Sequence, residues 1–218
     1  MKTVIFDLDG TILDTLKDLA EAVNYALRLF SLPEKDLEFV RKAIGNGTQV
    51  LIKRCTPDSV SSEKREKVFV EFKNYYLEHY DVYTKPYVGI KKLLIDFHDK
   101  CQFGVVSNKD NDLVHRIINK EFPNLFSIIQ GSYFDKPKKP DPYLINKVIK
   151  ENNINKKDVL YVGDTDIDEQ SALNAGIDYR LVNYGYRNKD ELKKTCQETK
   201  SFSNVEELYS YIGMWVNL

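Results

Sequence analysis

The stretch VIFDLDGTILDT, residues 4–15, starts as a buried strand and then breaks its own pattern. The run from Thr3 to Leu8 is apolar enough for a core strand, yet Asp7 and Asp9 interrupt it just before a glycine. Burying an unpaired carboxylate is costly, so packing alone gives no reason for two acids there. They ask for a chemical explanation, and the rest of the chain supplies the context for one.

From residue 87 onward, strand-like and helix-like segments alternate. A helix at GIKKLLIDFHDK precedes a strand at QFGVVS (102–107). A helix at DLVHRIINK leads to a short strand at SIIQ, and a lysine- and proline-rich loop leads to a helix at PYLINKVIKEN. Asp141 suits the N-cap of that helix and Pro142 its first turn. A strand at VLYVG (159–163) runs into a helix ending at Ala175 and Gly176, then a strand at YRLVN. A last helix opens with the capping-box pattern SNVE and buries Val205, Leu208, Tyr209 and Ile212. This alternation predicts an α/β core with a parallel sheet covered on both faces. Between residues 15 and 84 only helical periodicity is found. Leu16, Leu19, Ala20, Val23, Leu27 and Phe30 recur at three and four. A second helix stops at IGNG (44–47), a third covers TQVLIKR, and a fourth spans about 62–80 with Val68, Phe72, Tyr75 and Tyr76 on one side. The expected organisation is a core of 1–14 and 84–218 with a helical insertion at 15–83.

Composition restricts the function. The 218 residues are 42% hydrophobic and 30% charged, with a net charge of -1 and acids and bases interspersed. Nothing there favours nucleic acid or an anionic membrane as partner. Cys55, Cys101 and Cys196 are odd in number, far apart and without a CxxC pair, which suits a reducing compartment better than a disulfide framework or zinc site. With no signal-peptide pattern and no apolar run long enough to span a bilayer, the chain reads as cytoplasmic. His79, His98 and His115 lie in helix-like stretches and there is no G-x-S-x-G elbow, so a serine triad finds no support. Trp215 reads as an exposed residue near the C-terminus.

In parallel α/β sheets, ligands gather at the carboxyl ends of the strands. Those ends carry Asp7 and Asp9, then Ser107 and Asn108, then Asp164 with Asp168 four residues on, and Lys139 follows the SIIQ strand. Taken singly, GDTDID could be a turn and helix start, Ser107-Asn108 a cap, and the lysines a solvated loop. Their joint placement at successive strand ends is what counts. Converging carboxylates call for a hard dication with oxygen ligands, and Mg²⁺ is the expected cofactor. With Asp9 protonated, Asp7, Asp164 and Asp168 balance Mg²⁺ and Lys139. Asp9 is therefore expected to have the higher pKa of the pair.

DLDGT, VVSNK, KPDP and GDTDIDEQSALNAG together resemble the four motifs of the haloacid-dehalogenase-like (HAD) hydrolases, and the resemblance covers nearly the whole chain. It is closest in pattern to the phosphoglycolate phosphatase-like branch, with a small helical cap inserted after the first motif. The resemblance implies a Rossmann-like core with that cap, and a Mg²⁺-dependent phosphatase acting on a small phosphorylated metabolite through an aspartyl-phosphate. Asp7 would be the nucleophile, Asp9 the acid/base and Lys139 the charge-neutralising lysine. Thr11, Ser107 and Asn108 would meet substrate, together with Gly45, Asn46 and Gly47 of the cap. The metal set would be Asp7, Asp164 and Asp168, with Asp168 either a ligand or a support behind the ligands, and Asp9 contributing its backbone carbonyl.

Other branches and classes fit less well. Asp9 is the residue that dehalogenases and phosphonatases of this resemblance lack. The histidine that sugar-phosphate mutases tend to place in the first cap helix is absent from residues 16–25. Pyrophosphate, nucleotides and sugar phosphates are alternative substrates. A receiver-like phosphoacceptor module is the alternative from another class, and an inert phosphatase-like scaffold is a third. A receiver would not have its acid pair flanking a leucine in the first strand, followed by a helical insertion.

Overall fold

A computed structural model describes residues 1–197 and 201–217 of the chain. Its sheet explains why the first strand is apolar on both faces. Strand β1 (Thr3–Phe6) is completely buried and lies between two parallel partners, β4 (Gln102–Asp110) and β6 (Val159–Gly163). Successive side chains point to opposite sides of a strand. Ile5 joins Val106, Tyr161, Leu144 and Ala172 in one apolar layer. Phe6 faces the other way, into a cluster of rings with Phe103 at 6.0 Å and Phe126 at 6.4 Å.

The full strand order is β5-β4-β1-β6-β7-β8, with β5 (Ile128–Ser132), β7 (Asp178–Val182) and β8 (Ser201–Phe202), and every pairing is parallel. The chain builds outward from β1 through β4 to β5, then returns to β1's other side and builds outward through β6. The strand order therefore reverses at the β1–β6 crevice, the place where such sheets bind ligands. Register completes the placement. Phe6 pairs with both Val105 and Val162, so Asp7 emerges level with Val106 and Gly163. Ser107 and Asp164 follow one residue on.

Helices α5 (Ile90–Phe97), α6 (Asn111–Glu121), α7 (Tyr143–Glu151), α8 (Asp166–Ala175), α9 (Lys189–Thr195) and α10 (Val205–Trp215) complete this unit, which comprises Met1–Leu13 and Pro86–Leu218. The second unit, Asp14–Lys85, holds α1 (Leu16–Leu29), α2 (Leu37–Ala43), α3 (Thr48–Cys55) and α4 (Ser62–His79). Where the chain passes between units, the short strands β2 (Leu13–Asp14) and β3 (Lys85–Pro86) form a two-stranded sheet. Within the helical unit Leu19, Val23 and Leu27 of α1 are buried, as are Val68, Phe72 and Tyr76 of α4. Asp18 is also buried there. It accepts hydrogen bonds from the backbone N–H groups of Tyr83 and Thr84, which ties the start of α1 to the segment before β3.

Several local expectations shift. Helix α7 begins at Tyr143, with Pro142 in the cap position and the Asp141 carboxylate accepting from the Tyr143 N–H. The cap of α10 is Asn204, accepting from the Glu207 N–H, one residue later than the capping-box pattern suggests. Tyr209 is only half-buried. Trp215 is buried, contrary to the expectation of an exposed ring, and Lys2 lies over it. Helix α9 gives no periodic signal because Leu192 is its single buried residue, and β8 is only two residues long.

Phe72 is fully buried and its ring lies 5.6 Å from that of Tyr76. Phe72→Ala is expected to destabilise the protein by about 3–5 kcal/mol, from lost burial and the cavity left behind. Urea unfolding followed by circular dichroism measures this, and a loss below about 1 kcal/mol would mean that the helices repack around the gap.

Candidate active site

Asp7 leaves β1 at its carboxyl end, where its N–H donates to the Val162 carbonyl at 2.8 Å. Its Oδ1 accepts from Lys139 Nζ at 2.7 Å, and among the described residues no donor reaches its Oδ2. Lys139 reaches the same point from the loop before α7, and its ammonium makes three bonds. Besides Asp7 it donates to Asp168 Oδ1 at 2.7 Å and to the Tyr161 hydroxyl at 2.9 Å. Three hydrogens are all an ammonium has, so the protein uses every one.

Asn108 fixes the backbone that carries this lysine. Its Nδ2 donates to the Lys139 carbonyl at 3.0 Å, and its Oδ1 accepts from the Lys139 N–H at 2.7 Å. The expectation put Asn108 against substrate; the structure shows its amide clamping Lys139. Thr11 was also expected there. It is fully buried and donates its hydroxyl to Asp164 Oδ1 at 3.0 Å. Ser107, at the end of the same strand as Asn108, accepts from the Lys109 N–H at 3.2 Å.

Asp164 follows β6 and is fully buried. Its Oδ2 accepts from the Tyr186 N–H at 2.6 Å. The chain bends tightly around this carboxylate. Gly10 has φ +87°, and a side chain there would put its Cβ 2.4 Å from Asp164 Oδ2. Asp168 sits in the first turn of α8. Its Oδ2 accepts from Thr165 Oγ1 at 2.6 Å and from the N–H groups of Thr165 and Asp164, so both of its oxygens are held by protein donors.

The carboxylate oxygens of Asp7, Asp164 and Asp168 lie within 4.8 Å of one another, all on buried residues. Burial pushes the Asp7 carboxyl up to about 7; Lys139 pulls it back and Asp168 adds to the rise. Asp164 is pushed well above the usual carboxylate range by burial, then by the charges of Asp168 and Asp7. Burial pulls Lys139 down, but Asp168 and Asp7 outweigh it and hold the ammonium well above the ordinary lysine value. An all-oxygen donor set with this excess of negative charge fits a hard dication, which would offset the mutual repulsion of the carboxylates.

Two residues escaped the sequence reading. Lys109 is buried at the end of β4, with Nζ 2.7 Å from Asp9 Oδ1. Its signal was available in VVSNK, where a lysine ending an apolar strand is as anomalous as the acids of DLDGT. The charge count had left it out. Four carboxyl groups therefore face two ammoniums here. Lys109 is the ion-pair partner of Asp9. The second missed residue is Tyr161, whose hydroxyl lies between Lys139 and Asp168 and donates to the Val106 carbonyl at 3.2 Å. A tyrosine in a strand gives no such warning.

Gly45, Asn46 and Gly47 belong to the helical unit. Both glycines have positive φ, 131° and 87°. Arg54 holds their loop, donating to the Ala43 carbonyl and to Asn46 Oδ1 at 2.8 Å each.

Comparison with known proteins agrees with this geometry. The curated phosphoglycolate phosphatase of Aquifex aeolicus is 34% identical over 188 residues, covering 85% of this chain and 86% of that protein. The Vibrio cholerae phosphoglycolate phosphatase is 30% identical over 88% of each chain. A crystal structure from Lactobacillus delbrueckii subsp. bulgaricus superposes with a TM-score of 0.89 at 29% identity, over 97% of this chain and 99% of that one. The family model of the haloacid dehalogenase-like hydrolases matches residues 4–182, from β1 through β7, and the chain belongs to that family.

Proposed function

We propose that the protein is a phosphoric monoester hydrolase that works through an aspartyl-phosphate on Asp7, with phosphoglycolate as its first-choice substrate. The observation that carries the chemistry is the buried Asp7–Lys139–Asp168 chain beside Asp164. The substrate choice is supported by the relatives from Aquifex aeolicus and Vibrio cholerae, both named phosphoglycolate phosphatase. Family membership also leaves the receiver-module reading without support.

In the first step Asp7 Oδ2 attacks phosphorus, the bond to the leaving oxygen breaks, and Asp9, entering the step as the neutral acid, gives that oxygen its proton. In the second, Asp9 takes a proton from water as the water attacks phosphorus. The bond to Asp7 breaks, and inorganic phosphate leaves with both aspartates restored. Splitting hydrolysis in this way replaces one difficult step with two easier ones. Ser107 and backbone N–H groups beside Leu8 and Asp9 would hold phosphoryl oxygens, while Lys139 keeps Asp7 oriented and offsets its charge. Asp7, Asp164 and the Asp9 carbonyl would hold Mg²⁺, and Asp168, whose oxygens are taken by protein donors, supports the set. When bound, the ion screens the repulsion between the carboxylate and the incoming phosphate. The helical unit is the cap, and its Gly45-Asn46-Gly47 loop sets which leaving groups are accepted.

Exhaustive EDTA treatment is expected to abolish turnover. Mg²⁺ should restore it, and Ca²⁺ should do so poorly because its coordination is longer and looser. Undiminished activity after chelation would reject the metal assignment.

Asp7→Asn is expected to show no turnover and no phosphoenzyme. Asp9→Asn keeps the nucleophile and loses the proton shuttle. With p-nitrophenyl phosphate, whose leaving group needs little protonation, Asp9→Asn should still be phosphorylated. Its dephosphorylation should slow by about 10²–10⁴-fold, so intact mass shows a gain of one phosphoryl group. Turnover by Asp9→Asn at the parent rate would remove Asp9 from the mechanism.

Asn46→Ala is expected to reorder a panel of phosphoglycolate, pyrophosphate, nucleoside monophosphates and sugar phosphates while leaving p-nitrophenyl phosphate turnover nearly unchanged. An unaltered order would free the loop of its assigned role.

A further inference from the structure

We infer that Lys109 is a positioning residue for the acid/base step: its ammonium holds the Asp9 side chain where it meets first the leaving oxygen and then the attacking water. The inference rests on the aspartyl-phosphate reading above and adds a residue to it.

The contact joins residues 100 positions apart. Lys109 Nζ lies 2.7 Å from Asp9 Oδ1, and the lysine side chain is 3% exposed. A solvated lysine would gain little from such a pair. A buried one loses its hydration and must be compensated by a partner held in good geometry. Asp9 itself is partly accessible, with 14% of its side chain exposed, as a group that meets both substrate and water has to be.

The backbone beneath Lys109 is itself fixed. Its N–H donates to Ser107 Oγ, and β5 packs so closely that a Cβ on Gly131 would come within 2.8 Å of the Lys109 carbonyl. The β4–β5 pairing also shifts register between Val106 and Asp110, across these residues. In a regular strand Asn108 would point away from its neighbours. Irregularities of this kind re-aim side chains. Here three consecutive residues are all buried within one site: Ser107 braces the Lys109 N–H, Asn108 clamps Lys139, and Lys109 meets Asp9. The two lysines thus divide the work, one on the nucleophile and one on the acid/base.

A misplacement of about 1 Å at a reacting group can cost about 10²-fold in rate. The test follows phosphoenzyme by intact mass, and its decay after a chase, with p-nitrophenyl phosphate as substrate. Lys109→Met should accumulate phosphoenzyme, slow its hydrolysis by about 10²-fold and leave KM within about twofold. Because Lys109 acts through Asp9, adding Lys109→Met to Asp9→Asn should slow that variant's hydrolysis no further; residues in one network are not additive. A purely structural pair would lower thermal stability without changing which step is slow. Should Lys109→Met fail to fold, Lys109→Leu, which likewise offers Asp9 no donor, carries the same comparison. A folded Lys109 variant that dephosphorylates at the parent rate overturns the inference. So does a double variant whose losses multiply, or a raised KM with hydrolysis unchanged, which would make Lys109 a substrate ligand. A parent protein without p-nitrophenyl phosphate turnover would instead sink the phosphatase reading, and the inference with it.

Discussion

The site depends on one buried ammonium. Lys139 Nζ joins Asp7 to Asp168 at 2.7 Å each and takes Tyr161 as its third acceptor. Removing one partner from a buried ion pair typically costs about 3–5 kcal/mol, because the remaining charge stays uncompensated. In the proposed reaction the lysine offsets the charge of the attacking carboxylate, and it orients that carboxylate through one oxygen while, among the described residues, no donor reaches the other. Asn108 protects the arrangement by bonding both the N–H and the carbonyl of Lys139. The loop carrying the lysine is thereby locked to the end of β4.

The sheet supplies the rest through register. Phe6 pairs with Val105 on one side and Val162 on the other, which sets the level of the three strands against one another. Asp7, Ser107 and Asp164 follow from that alignment, at the crevice where the strand order reverses. A shift of one residue in any of these pairings would turn its side chains to the opposite face. The aromatic cluster around Phe6 and the aliphatic layer around Ile5 hold the register, since each accepts only one of the two faces of β1. Core packing and catalytic geometry are here the same constraint.

Electrostatics join the two halves of the chemistry. Burial drives Asp7 and Asp164 toward neutrality, whereas Lys139 is held charged by Asp168 and Asp7. With Lys109 included, the acids still outnumber the ammoniums, an excess of negative charge that one hard dication would offset. Excess negative charge of this kind is what a bound cation would offset.

The sequence alone determined the fold class, the helical character of residues 15–83 and the identity of the acids. Alternation of strand and helix periodicities carries the first two, and a carboxylate at the end of an apolar strand is anomalous enough to reveal the third. Tertiary structure decided what each polar residue does, because a hydrogen-bond partner 31, 100 or 153 positions away leaves no local trace. In that way Asn108 became a clamp on Lys139, Thr11 a brace for Asp164 and Lys109 the partner of Asp9. Tyr161 shows the limit most clearly: within VLYVG it reads as one more large core residue, and only folding brings its hydroxyl to the ammonium on which the site depends.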